Sequence, residues 1–237
     1  LYRLTEIIHT DPASLPEGAS AEAVQSMFAY AMTVIKDKRA QPGEDLASQL
    51  LQAELDGRRL TDEEFLLFFM LLVDAGGDTT RNLVGTGTYE LIHSAGAWEQ
   101  LAEDPVGRLP LATEELLRLT SPVIYMRRTL TQDYVLNGQL MQKGDKVVMY
   151  YGAANRDSRM FTKPHQLDLT RQQARHLAFG GGHHVCLGQW YARLEIDAIF
   201  TEMLTRMKRL RVLEPPQWLN STFISGMTYM PIGFELR

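Results

Sequence analysis

The chain contains the stretch Phe179-Gly-Gly-Gly-His-His-Val-Cys-Leu-Gly188, in which three consecutive glycines precede the one cysteine, Cys186. Consecutive glycines lose much conformational entropy on folding, so they indicate that another group must approach the backbone closely. A helix is predicted to follow over residues 187–207, and the free amides and positive end of a helix favour a thiolate over a thiol. The loop would therefore fit a flat, bulky cofactor whose metal is bonded to the sulfur.

A lone cysteine has other common roles, and the residues alone leave them open. It is more often a small buried hydrophobic residue than a ligand. A zinc site could use His183, His184 and Cys186, but a closed zinc site needs four ligands, usually in spaced pairs, and His165 and His176 have no such spacing. A phosphate-binding loop is disfavoured because no Gly-Lys-Ser/Thr follows the glycines.

Length and composition predict a globular protein of one or two domains. The 237 residues are 45% hydrophobic and 22% charged, which is enough to bury a core. The net charge of −5 argues against a nucleic-acid binder that relies on basicity. Apolar runs are too short for a membrane span and no signal peptide is evident, so we expect a soluble cytoplasmic protein. Because the chain opens at Leu1 in what resembles a helix tail, we expect further sequence upstream.

Hydrophobic spacing and turn signals predict a mainly α protein with a smaller β-rich part, an α+β fold, in a single domain over residues 1–237. Thr61 and Glu64 form a capping-box pattern at the start of the longest predicted helix. Asn137-Gly138 predicts a hairpin turn. The predicted helices lie at 21–38, 46–57, 61–93, 98–102, 111–119 and 187–207, and the predicted strands at 124–130, 134–136 and 146–151.

The long helix contains Ala75-Gly-Gly-Asp-Thr-Thr80. A glycine inside a helix costs about 1 kcal/mol relative to alanine, so two of them need a reason. They could serve a close helix crossing, or they could make room for a ligand beside Thr79. Taken alone, Thr79 could simply bond a carbonyl one turn earlier, and Asp78 could be solvated.

Two further segments carry charge at a defined spacing. In Glu115-Leu-Leu-Arg118 the charged residues are three apart on a predicted helix, where an exposed pair contributes only a few tenths of a kcal/mol, roughly. Arg127-Arg128-Thr-Leu-Thr lies on a predicted strand, where two adjacent arginines would by default be a solvated surface pair.

Taken in their order along the chain, the segments at 75–80, 115–118, 127–131 and 179–188 resemble the cytochrome P450 family. The family's haem-binding loop reads Phe-Gly-x-Gly-x-His-x-Cys-x-Gly, and the resemblance implies haem b as the cofactor, with the thiolate of Cys186 as the axial ligand of its iron. The resemblance covers nearly the whole chain and implies the cytochrome P450 fold of a bacterial, soluble member with its N-terminal portion missing. The loop positions that match are Phe179, Gly180, Gly182, His184, Cys186 and Gly188.

The resemblance also implies roles for the other segments. Asp78 and Thr79 would manage the protons that dioxygen chemistry needs. Glu115 and Arg118 would form a structural pair, whose third partner, usually an arginine, we expect near Gln166. Arg128, with Arg127 as the alternative, and His184 would contact haem propionates, whose charge is costly to leave unpaired.

The implied activity is that of a haem-thiolate monooxygenase. It would insert one atom of O₂ into a C–H bond of a hydrophobic small molecule of the steroid, terpenoid, fatty-acid or alkane type. Electrons would come from NAD(P)H through a ferredoxin-type donor. The alternatives are a haem-binding protein without monooxygenase activity and a peroxide-using or isomerising relative on the same scaffold.

Candidate substrate-pocket residues are mostly apolar, which suits such a substrate. Asp74 is the exception, and it could meet a polar group of the substrate or lie to one side in water. A basic patch around the thiolate loop could steer an acidic redox partner, although scattered solvated cations are about as plausible. The pocket candidates are Met70, Val73, Asp74, Ala75, Val123, Ile124, Phe223 and Ile224; the cations are Arg171, Arg175, Arg193, Arg206, Lys208 and Arg209.

Overall fold

The structure is a computed structural model that describes residues 1–172 and 175–237. It confirms a mainly helical protein with a smaller β part. Two 3₁₀ turns lie at Pro12–Ser14 and Gly182–His184. The helices are α1 (Tyr2–His9), α2 (Ala19–Ala40), α3 (Leu46–Gln52), α4 (Asp62–His93), α5 (Ala97–Glu103), α6 (Pro105–Thr120), α7 (Tyr151–Ala154) and α8 (Gln189–Arg206).

The strands form antiparallel pairs, β1 with β2, β3 with β6, β4 with β5, β7 with β10 and β8 with β9. Within the described residues no helix is long and apolar enough to cross a membrane. The strands are β1 (Glu54–Leu55), β2 (Arg58–Arg59), β3 (Tyr125–Thr129), β4 (Tyr134–Leu136), β5 (Gln139–Met141), β6 (Lys146–Tyr150), β7 (Met207–Val212), β8 (Gln217–Trp218), β9 (Met227–Tyr229) and β10 (Ile232–Leu236).

The chain divides into two compact units, Leu1–Thr79 and Thr80–Arg237. The single domain over residues 1–237 stays a prediction. In the first unit, α2 buries one face through Ala23, Met27, Ala31 and Ile35. These residues recur every four positions, which places them on one side of a helix.

The predicted helix 46–57 is too long, because α3 ends at Gln52. The chain then forms the hairpin β1–β2, whose turn residues Asp56 and Gly57 both have positive φ. An Asp-Gly pair favours such a tight turn over a continued helix. This local signal overrode the apolar spacing of the leucines.

Helix α4 begins where the capping box predicts. The amide of Thr61 donates to Glu64 Oε2 at 2.9 Å, and the amide of Glu64 donates to Thr61 Oγ1 at 3.2 Å. The two bonds satisfy amides that no helical carbonyl can reach. With 32 residues, α4 is about 48 Å long.

In the second unit, α6 starts earlier than predicted. The side chain of Asp104 accepts from the amide of Gly107 at 3.0 Å, and Pro105 occupies the first helical position. An aspartate cap followed by proline is a strong start signal. Pro110 therefore lies inside α6 rather than at its beginning.

The core of the second unit lies between α6 and α8. Gly87 on α4 lets this core close tightly, since a Cβ there would meet Phe200 Cζ at 3.4 Å and Leu116 at 3.5 Å. The predicted hairpin turn is confirmed, with Asn137 and Gly138 both at positive φ between β4 and β5. The buried core residues include Leu83, Trp98, Leu101, Leu109, Ala112, Leu116, Ile196, Phe200 and Leu204.

Candidate active site

The loop that carries Cys186 joins an irregular segment to α8. The amide of Cys186 donates to the carbonyl of Phe179 at 2.9 Å and closes the loop. Gly180 has φ +69°, and a Cβ there would meet the Tyr151 hydroxyl at 2.9 Å. Gly182 has φ +62°. Because L side chains rarely adopt such φ values, both glycines are required by the backbone path.

Cys186 is exposed. The interpretation of this residue as a small buried hydrophobe is therefore wrong. Helix α8 begins at Gln189, three residues after the cysteine, and its N-cap Gly188 makes no side-chain capping bond. The amide of Gln189 reaches the carbonyl of Cys186 at 3.4 Å. The sulfur thus lies in the turn that leads into the helix.

A salt-bridge cluster fastens this loop to α6 and α8. Arg193 donates to both carboxylate oxygens of Glu114, at 2.5 and 3.0 Å, and its guanidinium carbon lies 4.6 Å from the centre of the Phe179 ring. His176 Nε2 lies 3.1 Å from Glu114. Burial raises the pKa of Glu114, but hydrogen bonds and charges from His176 and Arg193 outweigh it and hold the pKa at about 2. Glu114 is therefore ionised at neutral pH.

Glu115, the next residue, points into a different cluster. Glu115 and Arg118 are 1% and 0% exposed, so they form a buried pair and not a weak exposed pair on the helix surface. Arg118 donates to both oxygens of Glu115 at 2.8 Å. The same guanidinium donates to the carbonyls of Asn155 and Pro164 at 2.8 Å. A buried ion pair whose remaining donors are satisfied in this way is a scaffold.

The third partner of this pair is Arg171. Its Nε donates to Glu115 Oε2 at 3.0 Å, and its Nη1 donates to the carbonyl of Thr162. The prediction near Gln166 is wrong by five positions, because Gln166 contributes only its backbone carbonyl, 3.3 Å from Arg118 Nη2. Sequence reasoning had placed Arg171 among the surface cations, since the irregular segment gives no periodicity to fix its direction.

Asp78 and Thr79 lie on α4 in the first unit. Asp78 is fully buried, so the alternative of a solvated carboxylate is wrong. His9 Nδ1 lies 3.1 Å from Asp78 Oδ2, and His9 Nε2 lies 3.2 Å from Asp74 Oδ2. The hydroxyl of Thr79 donates to the carbonyl of Ala75 at 2.9 Å, the back-bond that the sequence allowed. The oxygen keeps its lone pairs as acceptors.

Sequence reasoning missed His9 entirely. It is 69 residues from Asp78, and nothing in the local pattern of α1 distinguishes it. The sequence feature that could have indicated a partner such as His9 was Asp74. A carboxylate four residues before Asp78 lies on the same helix face, and the repulsion between the two carboxylates is relieved by a nearby cation. Neither alternative offered for Asp74, a substrate contact or a position in water, anticipated this partner.

The two helix glycines have different surroundings. A Cβ at Gly77 would lie 3.3 Å from Tyr2 Cδ1 and 3.5 Å from Thr5 Oγ1, so this glycine serves the crossing of α1 over α4. A Cβ at Gly76 would meet nothing within 4 Å. Gly77 thus supports the interpretation of a close helix crossing. Gly76 supports the interpretation that the backbone leaves room for a ligand.

Comparison with known proteins gives a match to the family model described as Cytochrome P450 over residues 7–217. That match covers most of the chain. The chain belongs to the cytochrome P450 family. Within the family the cofactor is haem.

Several mycobacterial P450s are similar in sequence. A methyl-branched lipid omega-hydroxylase of Mycobacterium tuberculosis is 44% identical over 208 residues, which are 87% of this chain and 49% of that protein. A steroid C26-monooxygenase of the same species is 37% identical over 208 residues, covering 86% of this chain and 56% of that protein. The chain thus spans about half the length of these relatives.

Solved P450 structures share the fold. A Mycobacterium marinum P450 in complex with pseudoionone is 35% identical, with a TM-score of 0.92 over 98% of this chain and 57% of that chain. A Bacillus megaterium P450 in complex with corticosterone is 33% identical, with a TM-score of 0.87 over 97% of this chain and 63% of that chain. These likenesses confirm a partial P450 fold.

The residues around Cys186 fit the haem of a P450. The sulfur is accessible, and a Cβ at Gly181 or Gly188 would meet nothing within 4 Å, so the space beside the loop is open. Val185 and Leu187 flank the sulfur and are 44% and 77% exposed. An accessible sulfur between apolar side chains and bare backbone suits a flat, largely apolar macrocycle with iron at its centre. Among the described residues, no group of three or more His, Cys, Asp and Glu side chains could hold a metal ion.

The candidate propionate contacts are Arg128, with Arg127 as the alternative, and His184, and their polar atoms lie at the surface. Arg128 is half-buried on β3 opposite Val147, and its Nη1 donates to the carbonyl of Arg127 at 2.9 Å. Arg127 is exposed, and so is His184 in the 3₁₀ turn before Cys186. Their contacts with haem stay predictions.

The candidate pocket residues of the second unit come together. Val123 and Ile224 form an antiparallel bridge, and the amide of Ile124 donates to the carbonyl of Phe223 at 2.9 Å. Ile224 is buried, whereas the other three are half-buried. In the first unit, Met70, Val73 and Ala75 follow one another along α4, and Val73 lines an apolar hollow of about 220 Å³. A role in substrate binding stays a prediction for these residues.

Four of the six cations in the hypothesis of a basic patch pair with carboxylates of the protein. Arg171 and Arg193 are bound to Glu115 and Glu114 inside the networks described above. Arg206 and Arg209 are exposed, but they pair with Glu202 and Glu235. These four cations are neutralised by carboxylates within the protein.

Proposed function

We propose that the protein is a haem-thiolate monooxygenase that hydroxylates a hydrophobic small molecule. The observation that carries the proposal is the accessible sulfur of Cys186 at the end of a loop closed by the bond between Cys186 N–H and the Phe179 carbonyl. A buried structural cysteine would need neither access nor three glycines. The family membership supports the same activity.

Three loop residues and one strand residue would hold the cofactor. Cys186 supplies the thiolate ligand, and Phe179, stacked with Arg193, keeps the loop in place. Arg128 and His184 would pair with the anionic propionates. When bound, the haem supplies the chemistry that activates O₂, with one oxygen atom entering a C–H bond and the other leaving as water.

Asp78 and Thr79 would hold and move the protons that this chemistry consumes. The Asp78 carboxyl group is fully buried, so bulk water does not compete with it for the role of proton carrier. The Thr79 hydroxyl, already donating to the Ala75 carbonyl, can accept a hydrogen bond from a water or substrate group. A protein that only bound haem would need neither group.

For the substrate we propose a lipid of the methyl-branched, terpenoid or steroid type. The similar proteins are named a methyl-branched lipid omega-hydroxylase and a steroid C26-monooxygenase, and the solved neighbours hold pseudoionone and corticosterone. The apolar candidates Val123, Ile124 and Phe223 suit such molecules. We further propose a cytoplasmic enzyme that receives electrons from NAD(P)H through a ferredoxin-type protein, on the resemblance to bacterial family members.

The decisive experiment is the absorption spectrum of the reduced, CO-bound protein. We expect the red-shifted Soret band of a thiolate ligand, its loss in Cys186→Ala, and its retention in His183→Ala, an exposed neighbour in the same loop. A normal thiolate spectrum in Cys186→Ala would overturn the proposal.

Turnover assays distinguish a monooxygenase from a haem protein without that activity and from a peroxide-using relative. With a redox donor and O₂, we expect hydroxylated product from a branched fatty acid or a sterol. Oxygen consumption without product across a broad lipid panel would favour a haem protein without monooxygenase activity. Product from peroxide alone, with none from electrons and O₂, would favour the peroxide-using relative.

A further inference from the structure

The last residue of α1, His9, lies between two carboxylates of α4. Its side chain is 6% exposed. Nδ1 lies 3.1 Å from Asp78 Oδ2, and Nε2 lies 3.2 Å from Asp74 Oδ2. Each ring nitrogen therefore faces a carboxylate at hydrogen-bond distance.

This geometry fixes the protonation of the ring. A neutral imidazole has one N–H and one lone pair, so it could donate to only one of the two carboxylates and would point its lone pair at the other. The imidazolium donates from both nitrogens. Two carboxylates four residues apart on one helix face also repel each other unless a cation lies between them.

The electrostatic balance agrees with the geometry. Burial lowers the pKa of His9, but the hydrogen bonds and charges of Asp74 and Asp78 outweigh it and raise the pKa to about 9. The neighbouring helix α2 carries cations, yet Lys38 and Arg39 pair with Asp45 and Asp62 instead. Asp74 and Asp78 are the charged groups that raise the pKa of His9.

The packing of α1 on α4 makes the contact possible. Gly77 lets Tyr2 and Thr5 approach α4 one residue before Asp78. Asp74 Oδ1 is buried and has no hydrogen-bond partner among the described residues, so Asp74 depends on His9 to compensate its charge.

We propose that His9 is a positioning residue that bridges Asp74 and Asp78 as an imidazolium and thereby fixes the direction of the Asp78 carboxylate. The inference rests on the proposed function for the role of Asp78 in proton delivery. Removing the imidazolium would take away the hydrogen bond to Asp78 Oδ2 and the positive charge that offsets the repulsion between Asp74 and Asp78, and the Asp78 carboxylate would turn away from its working position. Proton delivery would then slow while the residues that bind the cofactor stay unchanged.

The bridge itself can be tested in the haem-loaded protein without turnover. We expect ¹⁵N NMR of histidine-labelled protein to show an imidazolium that titrates near 9, is absent in His9→Gln, and titrates at lower pH in Asp74→Asn. His93 ends α4 and contacts only a carbonyl of its own helix among the hydrogen bonds found, so His93→Gln is the matched control. A His9 ring that is neutral at pH 7 would overturn the inference.

Turnover then tests the consequence of the bridge. We expect Asp78→Asn to lower product formation by about tenfold or more, and His9→Gln to lower it by a smaller factor in the same direction, with a similar rise in the solvent isotope effect. The double variant should be no slower than Asp78→Asn, and His9→Lys should recover part of the loss. Intact CO spectra would show that folding and haem binding are preserved.

The outcomes distinguish the two proposals. If Asp78→Asn turns over like the natural protein, the proposed proton relay is wrong whatever His9 does. If Asp78→Asn is slow but His9→Gln keeps the natural rate and isotope effect, the relay stands and the positioning role is overturned. Should His9→Gln fail to fold, the NMR titration of the unaltered protein and of Asp74→Asn still decides whether the bridge exists.

Discussion

Two buried clusters of charge lie in the two units of this chain, and they are stabilised differently. In the Glu115 cluster two arginines surround one carboxylate, and backbone carbonyls accept the remaining donors of Arg118 and the Nη1 donor of Arg171. In the His9 cluster one imidazole holds two carboxylates. Arginine keeps its proton at every pH at which a protein folds, whereas histidine can lose it. The first cluster is therefore a fixed scaffold, and the second depends on one proton.

The largest expected effect comes from removing the centre of the scaffold. Arg118→Met would remove the buried guanidinium that binds both oxygens of Glu115 and would leave the carbonyls of Asn155 and Pro164 without this donor, and we expect a loss of about 3–5 kcal/mol in the free energy of unfolding. Urea denaturation followed by circular dichroism measures it. Arg206→Met is the control, because its exposed pair with Glu202 should be worth less than about 1 kcal/mol. Equal losses in the two variants would show that burial of the Glu115 cluster is not what stabilises it.

The next effect is the pH dependence of the His9 cluster. Below the ordinary histidine pKa of 6.5, His9 is protonated in the folded and unfolded chain alike, and its contribution to stability is fully present. Between 6.5 and about 9 only the folded chain keeps the proton, so the free energy of unfolding should fall by about 3 kcal/mol as the pH rises.

Denaturation midpoints between pH 6 and pH 10 measure this fall. It should disappear in His9→Gln and persist in His93→Gln. Arg118 contacts neither His9 nor its two aspartates in the hydrogen bonds found, so Arg118→Met should shift the whole curve without changing its shape. A fall of the same size in His9→Gln would assign the pH dependence to another group.

The smallest expected effect is the difference in stability between a variant of Arg171 and a variant of Gln166. Arg171→Gln removes one charged hydrogen bond to Glu115, which we expect to cost about 1–3 kcal/mol. Gln166→Ala should cost almost nothing, because that residue bonds Arg118 through its backbone carbonyl. Thermal denaturation compares the two. If Gln166→Ala were the more harmful change, Arg171 would not be the third member of the cluster.

The two clusters also show where sequence reasoning succeeds. The capping box at Thr61 and the hairpin turn at Asn137-Gly138 are set by bonds between residues a few positions apart, and both were predictable. The glycines and the cysteine of the 179–188 loop were recognisable because their spacing is itself the signal. The start predicted for α6 at Leu111 is too late, because Asp104 and Pro105 form a stronger local start signal than Pro110.

What the sequence could not supply is contact between distant segments. Burial of Glu115 depends on a chain that returns at Arg171, 56 positions later, and the pairing of Asp78 depends on His9, 69 positions earlier. Neither segment has a period or motif that points to its partner. Asp74 was the one visible trace, since an acidic residue in an otherwise apolar position needs a compensating charge somewhere in the fold.

Cys186 has a practical consequence for anyone preparing this protein. It is the sole thiol of the chain and it is accessible. A thiol-reactive dye added to the native protein would therefore label molecules that lack haem and spare those whose sulfur is bonded to iron. Counting dye per chain before and after reconstitution would give cofactor occupancy directly, and the same reactivity calls for a reducing agent during storage of the apoprotein.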